Sequence, residues 1–172
     1  MVIFTGTLLV LMATAAPMDA VAAASEEVPI LSVWMVQATA EEKTEKEFDA
    51  ELVPIRKTLA RLPFARFKCL TAWREAVHFD QERQIPVSGR YSFFVKPVRK
   101  EHDRRLRLNL RVEMPAKELR GKPVEALKAE ILLEPGKPFK VQGFHLEQGE
   151  LIMVMQVAYG PPPKASGPSH RR

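Results

Sequence analysis

A chain of 172 residues, 46% hydrophobic and 27% charged, has the composition of an ordinary soluble globular protein, so low hydrophobicity does not force disorder. The single cysteine, Cys69, excludes an intramolecular disulfide, so packing alone must hold the core. The formal net charge of +5 favours contact with anionic surfaces.

The first 24 residues, MVIFTGTLLVLMATAAPMDAVAAA, read as a secretory leader. Residues 2–16 carry no charge and are shorter than the ~20 needed to span a bilayer. Ala22 and Ala24 form an A-x-A site that would leave Ser25 as the mature N-terminus. No Lys or Arg precedes the apolar run, and an uncleaved anchor and a structural apolar segment are the competing readings. No cysteine stands near the cleavage site, which argues against a lipid anchor. The expectation is a soluble periplasmic or secreted protein with no transmembrane segment in the mature chain.

Residues 30–38, ILSVWMVQA, are continuously apolar apart from Ser32 and Gln37, and predict a strand buried on both faces at the centre of a sheet. The polar stretch 40–51 then leads into an amphipathic helix with the stripe Phe48, Leu52, Ile55, Leu59 and Leu62. Asp49 is a candidate N-cap. Pro54 fits only an opening turn, so the secure helix runs from Pro54 to Leu62, and Pro63 closes it. In FARFKCLTAW the period becomes two: Phe67, Cys69, Thr71 and Trp73 share one strand face, opposite Arg66, Lys68 and Leu70. Cys69 reads there as a small buried hydrophobe and not as a nucleophile.

Further on, Val77 and Phe79 could prolong that strand, residues 85–87 form a short edge piece around Pro86, and Ser88-Gly89 is a turn. RYSFFVKPV is a strand with Tyr91, Phe93 and Val95 opposed to Ser92, Phe94 and Lys96, and residues 100–103 make a polar hairpin connection. The next strand, RRLRLNLRVEM, alternates strictly. Leu106, Leu108, Leu110, Val112 and Met114 line one face, and Arg105, Arg107, Asn109, Arg111 and Glu113 the other. Residues 124–134 fit a helix by composition and a strand by alternation, with the strand favoured. Turns at Pro135–Pro138, Gly143 and Gln148-Gly149 divide off two last strands, of which Leu151–Val157 is strongly buried. These elements make a single α+β domain, predominantly β, over residues 25–159: one strand, one helix, then an antiparallel meander of about six strands. Residues 160–172 are a disordered, proline-rich basic tail.

Three features occur together: the V-W-M-V run, a helix ending at Leu62, Pro63, Phe64, Phe67 and Leu70, and a final strand carrying Gly149, Leu151, Ile152 and Met155. Over residues 30–158 this pattern resembles a group of small exported bacterial proteins of myxobacteria and planctomycetes, in which a helix ending LPYxxFxLL precedes a β meander. The resemblance implies the fold and export, and it brings no catalytic residue. Cys69 stands where that pattern has an aliphatic residue.

No phosphate-binding loop, nucleophile elbow, CxxC pair or HExxH is present, so no catalytic residue, metal site or cofactor is expected. His78, His102, His145 and His170 lack ligand-like spacing. Glu75, His78 and Asp80 are the nearest approach to a general-base site, but alternation puts Glu75 on the opposite face from the other two. The remaining candidate is the basic hairpin of Lys96, Arg99, Lys100, Arg104, Arg105, Arg107 and Arg111, whose guanidinium groups suit phosphate or carboxylate. It reads either as a binding face or as a solubilising, strand-protecting one. Nucleic acid does not fit an exported chain. The function expected is a non-catalytic interaction or assembly module of the bacterial cell envelope, with a protein partner. The alternatives are a binder of anionic envelope polymers or, less favoured, a small secreted hydrolase.

Overall fold

The computed structural model describes residues 27–40, 45–87, 91–100, 104–114 and 124–161. The leader 1–24, its cleavage point, the Ser88-Gly89 turn, the hairpin connection 101–103 and the tail from residue 162 lie outside these. Among the described residues nine strands, more than the one plus about six expected and not in a single meander, form two sheets: β1 Val28–Thr39, β2 Glu47–Phe48, β3 Arg66–Ala76, β4 Arg83–Ile85, β5 Ser92–Lys100, β6 Leu106–Met114, β7 Val124–Leu133, β8 Phe139–His145 and β9 Glu150–Gly160. The helical part is a 3₁₀ helix, Ala50–Ile55, continued by α1, Arg56–Leu59. The protein is therefore predominantly β within the α+β class. Residues 124–133, ambiguous in sequence, are a strand.

The sheet orders are β2-β3-β1-β9-β8 and β4-β5-β6-β7. The second sheet is a four-stranded antiparallel meander. The chain then returns to the first sheet, where β9 runs antiparallel to β1 from Val28 opposite Gly160 to Ala38 opposite Glu150. β1 is thus central, paired along both edges, as its largely apolar run leads one to expect.

The alternation of β1 divides its side chains between two cores. Leu31, Val33 and Met35 point into the space between the sheets. There they meet Leu106, Leu108, Leu110 and Val112 of β6, Phe93 and Val95 of β5, and Leu151, Met153, Met155 and Val157 of β9. Val36 and Ala38 point the other way, against Leu52, Ile55, Leu59 and Leu62, so the helical segment forms a third layer over the five-stranded sheet. Burying each such Leu or Val contributes about 1.5–3 kcal/mol.

Three local features differ from the sequence reading. Phe67, Cys69, Thr71 and Trp73 do not share a face. Met35 lies opposite Thr71 while Val36 lies opposite Cys69, so Leu70 is an extra, bulged residue that reverses the alternation. Phe67 therefore packs under the helix and Trp73 between the sheets. Of the expected stripe, Leu52, Ile55, Leu59 and Leu62 are buried, but half-buried Phe48 belongs to β2, Leu62 lies beyond the helix, and the helix is shorter and begins earlier than Pro54. Pro54 has no N–H to donate, and the segment around it stays in the tighter 3₁₀ form. Asp49 stands at the N-cap, where its carbonyl accepts the Leu52 N–H at 3.1 Å, but its side chain makes no cap bond. Its Oδ2 accepts the Cys69 N–H at 2.8 Å, where β2 ceases to pair with β3.

Candidate functional site

The space between the sheets is filled by side chains, whereas among the described residues the helical side of the five-stranded sheet is only half covered. Beyond the helix, the rows Ala72–Trp34–Val154 and Arg74–Ser32–Gln156 run across β3, β1 and β9. Alternation turns all of them except buried Val154 into an open groove of about 360 Å³, closed on one side by Pro54 and extended by Ala158. Trp34 is half-buried at its floor, and the small Ser32, Ala72 and Ala158 leave its surroundings low. Gln156 is fixed by donating from Nε2 to the Gly136 carbonyl at 2.7 Å. Arg74 is exposed and has no ion pair among the described residues. Such a groove can seat an apolar or planar group against the indole, with Arg74 at hand for a carbonyl or carboxylate.

A second, smaller hollow of about 170 Å³ lies at the other end of the same sheet, on its opposite face, among Gln37, Thr39, Arg66, Lys68 and Gln148. Gln37 Nε2 donates to the Gln148 carbonyl at 2.6 Å, and Arg66 lies 3.9 Å from the Glu47 carboxylate.

The basic hairpin is laced with carboxylates. Arg107 pairs with Glu130, and Arg111 with Glu113 and, at 2.7 Å, with Glu82. Arg111 also lies 4.1 Å over the Phe94 ring. Lys96 sits 3.3 Å from Asp80, and Arg104 sits 2.5 Å from Glu27 and 5.2 Å over the Tyr159 ring. Arg99 is exposed, directly opposite Arg107, Arg105 is half-buried, and Lys100 pairs with Leu106 at the strand end. The structure thus places Lys96, Arg99, Lys100, Arg107 and Arg111 on one sheet, with Arg104 and Arg105 just before β6, and it sets acids among at least four of the seven. β6 is flanked by β5 and β7, so its arginines do not guard a sheet edge.

Glu75, His78 and Asp80 are all exposed and do not converge; Asp80 turns to Lys96. His145 is also exposed, and its carbonyl accepts the Tyr91 hydroxyl at 3.2 Å. His102 and His170 lie outside the described residues. Among the described residues no three His, Cys, Asp or Glu side chains are placed to hold a metal ion, and no helix is long and apolar enough to cross a membrane. Cys69 is half-buried under the helix, and burial, with Glu51 and Asp49 nearby, pushes its thiol above its usual range. The groove residues were invisible in the sequence because they come from strands that are adjacent only in the folded order. The one available signal was a Trp amid aliphatic residues in β1.

Comparison with protein-family models, with curated proteins and with solved structures finds no match.

Proposed function

We propose that this is a non-catalytic, exported module that binds a protein partner in the bacterial cell envelope, and that the partner seats in the Trp34 groove. The observation that carries the reading is the half-covered sheet. A face that buries Val36, Ala38, Ile152 and Val154 under the helix continues past Trp34 and between Ala72 and Ala158, left open among the described residues. An apolar hollow with a single cation suits a protein segment better than a highly charged polymer. The anionic-polymer reading draws on the hairpin, where the carboxylates of Asp80, Glu82, Glu113 and Glu130 offset much of the positive charge. Export rests on the apolar leader with its A-x-A site and on the resemblance of residues 30–158 to small exported proteins.

The test is site-specific photo-crosslinking in cells that make the full-length protein. A crosslinkable side chain at Ala72, in the groove, should give one discrete protein adduct. The same side chain at Asn109, exposed on the outer face of the other sheet, should not. No adduct from Ala72, or the same adducts from both positions, overturns the assignment.

A further inference from the structure

The four sheet edges are unlike one another. β2 has two residues and β4 three, and β8 is broken where Val141 and Phe144 step out of register around Gly143 at φ +105°. Each is a poor template for another strand. β7 has ten residues, lies at the end of its sheet, and contains neither Pro nor Gly. Its one irregularity is at Ala126, where Val112 and Glu113 pair with Leu127 and Glu125. From Leu127 to Leu133 it is a regular strand, and among the described residues its outer edge is unpaired. Leu127 and Ala129 are only half-buried, and Leu132 is 37% exposed on the outer face.

We infer that β7 pairs antiparallel with β7 of a second copy, about a twofold axis through Ala129, joining two four-stranded sheets into one. Sheet geometry and charge fix the register. In a continuous sheet, core-facing residues must oppose core-facing ones, so opposed residue numbers must sum to an even value. Centring the axis on Lys128 sets lysine against lysine, and centring it on Glu130 sets glutamate against glutamate; both are unfavourable. Centres further out meet the Ala126 bulge or oppose Glu130 to Leu132. Centred on Ala129, Lys128 opposes Glu130 of the second copy twice over, and Leu127 opposes Ile131 twice on the core side. Lys128 gains most from this. Within its own sheet it lies directly opposite Arg111, a like charge, and it makes no ion pair among the described residues. Glu130, already held by Arg107, would bridge the two sheets. This surface lies on the sheet that does not carry the Trp34 groove, and the pairing stands independently of that site.

Sedimentation velocity of the full chain, from low micromolar to several hundred micromolar, should show a reversible monomer–dimer equilibrium. Lys128→Glu turns both charge pairs repulsive and should weaken the dimer by roughly tenfold or more. Combining Lys128→Glu with Glu130→Lys restores opposite charges across the axis and should recover most of the affinity. Because Glu130→Lys also removes the partner of Arg107, a second measurement guards the result. Ala129→Cys in a Cys69→Ala background sets two thiols opposite each other and should give a covalent dimer on mild oxidation. A wild type that stays monomeric throughout, a dimer indifferent to Lys128→Glu, or no crosslink at residue 129 overturns the pairing.

Discussion

Two glycines with similar backbone conformations provide an internally controlled test of the packing at the end of β1. Gly136 has φ +73° and Gly149 φ +86°, a region that L-residues adopt only with strain. A Cβ added at Gly136 meets nothing within 4 Å, so Gly136→Ala should cost only the conformational strain, about 1–2 kcal/mol. A Cβ added at Gly149 would lie 2.1 Å from the Ala38 carbonyl oxygen and 2.9 Å from Thr39 Cγ2. Ala38 is fixed by pairing to both Phe67 and Glu150, so the backbone cannot move away without disturbing two strands. Overpacking of this kind adds about 1–3 kcal/mol, for a total of about 2–5 kcal/mol at Gly149. Urea unfolding followed by the fluorescence of Trp34 and Trp73 would resolve the difference. With a slope near 2 kcal/mol per molar, the Gly149→Ala midpoint should fall about 0.5–1.5 M below that of Gly136→Ala. Coincident midpoints would refute the reasoning.

Two further predictions concern the helix and the alkaline limb of stability. Leu59→Ala, at a fully buried position under the five-stranded sheet, should lose about 2–5 kcal/mol, and exposed Arg61→Ala under about 1 kcal/mol; equal losses in chemical denaturation would mean the stripe does not face the core. Cys69 and Tyr159 are both held above their usual ranges, Cys69 by burial with Glu51 and Asp49, and Tyr159 by burial with Glu27 against an opposing pull from Arg104. Each therefore keeps its proton in the folded chain at a pH where the unfolded chain has lost it. Their stabilising contribution is complete below the unfolded values, near 8.5 and 10, and is lost as pH rises through the folded ones. The melting temperature should fall above about pH 8.5, with Cys69→Ala removing the earlier part of the decline. A Cys69→Ala profile that overlays the wild type would contradict this.

Period-two patterning is a local property, and what it reports was legible. The Leu/Arg alternation of β6 places Leu106, Leu108, Leu110 and Val112 inward, and all four are fully buried. The alternation of residues 124–133 likewise outweighed their helix-favouring composition. Long-range pairing was not legible, because nothing in the last strand's sequence states that it returns to lie beside the first. The bulge at Leu70 was hidden as well: a single extra residue leaves composition unchanged while reversing which face Trp73 serves. The groove depends on both. Only the return of β9 sets Gln156 and Ala158 beside Ser32 and Trp34, and only the bulge turns Ala72 and Arg74 to their side.

The pairing of the first strand with the last has a temporal consequence. Synthesis delivers the N-terminal part of a chain first, and contacts distant in sequence form late. β1 is the most enclosed strand of its sheet, yet one of its flanks stays open until residues 150–160 have emerged, more than a hundred residues later. An incomplete chain therefore cannot complete the five-stranded sheet or its core until its last strand is available. If the chain is exported unfolded, as proposed above, this wiring would postpone closure of the core until nearly the whole chain has been made.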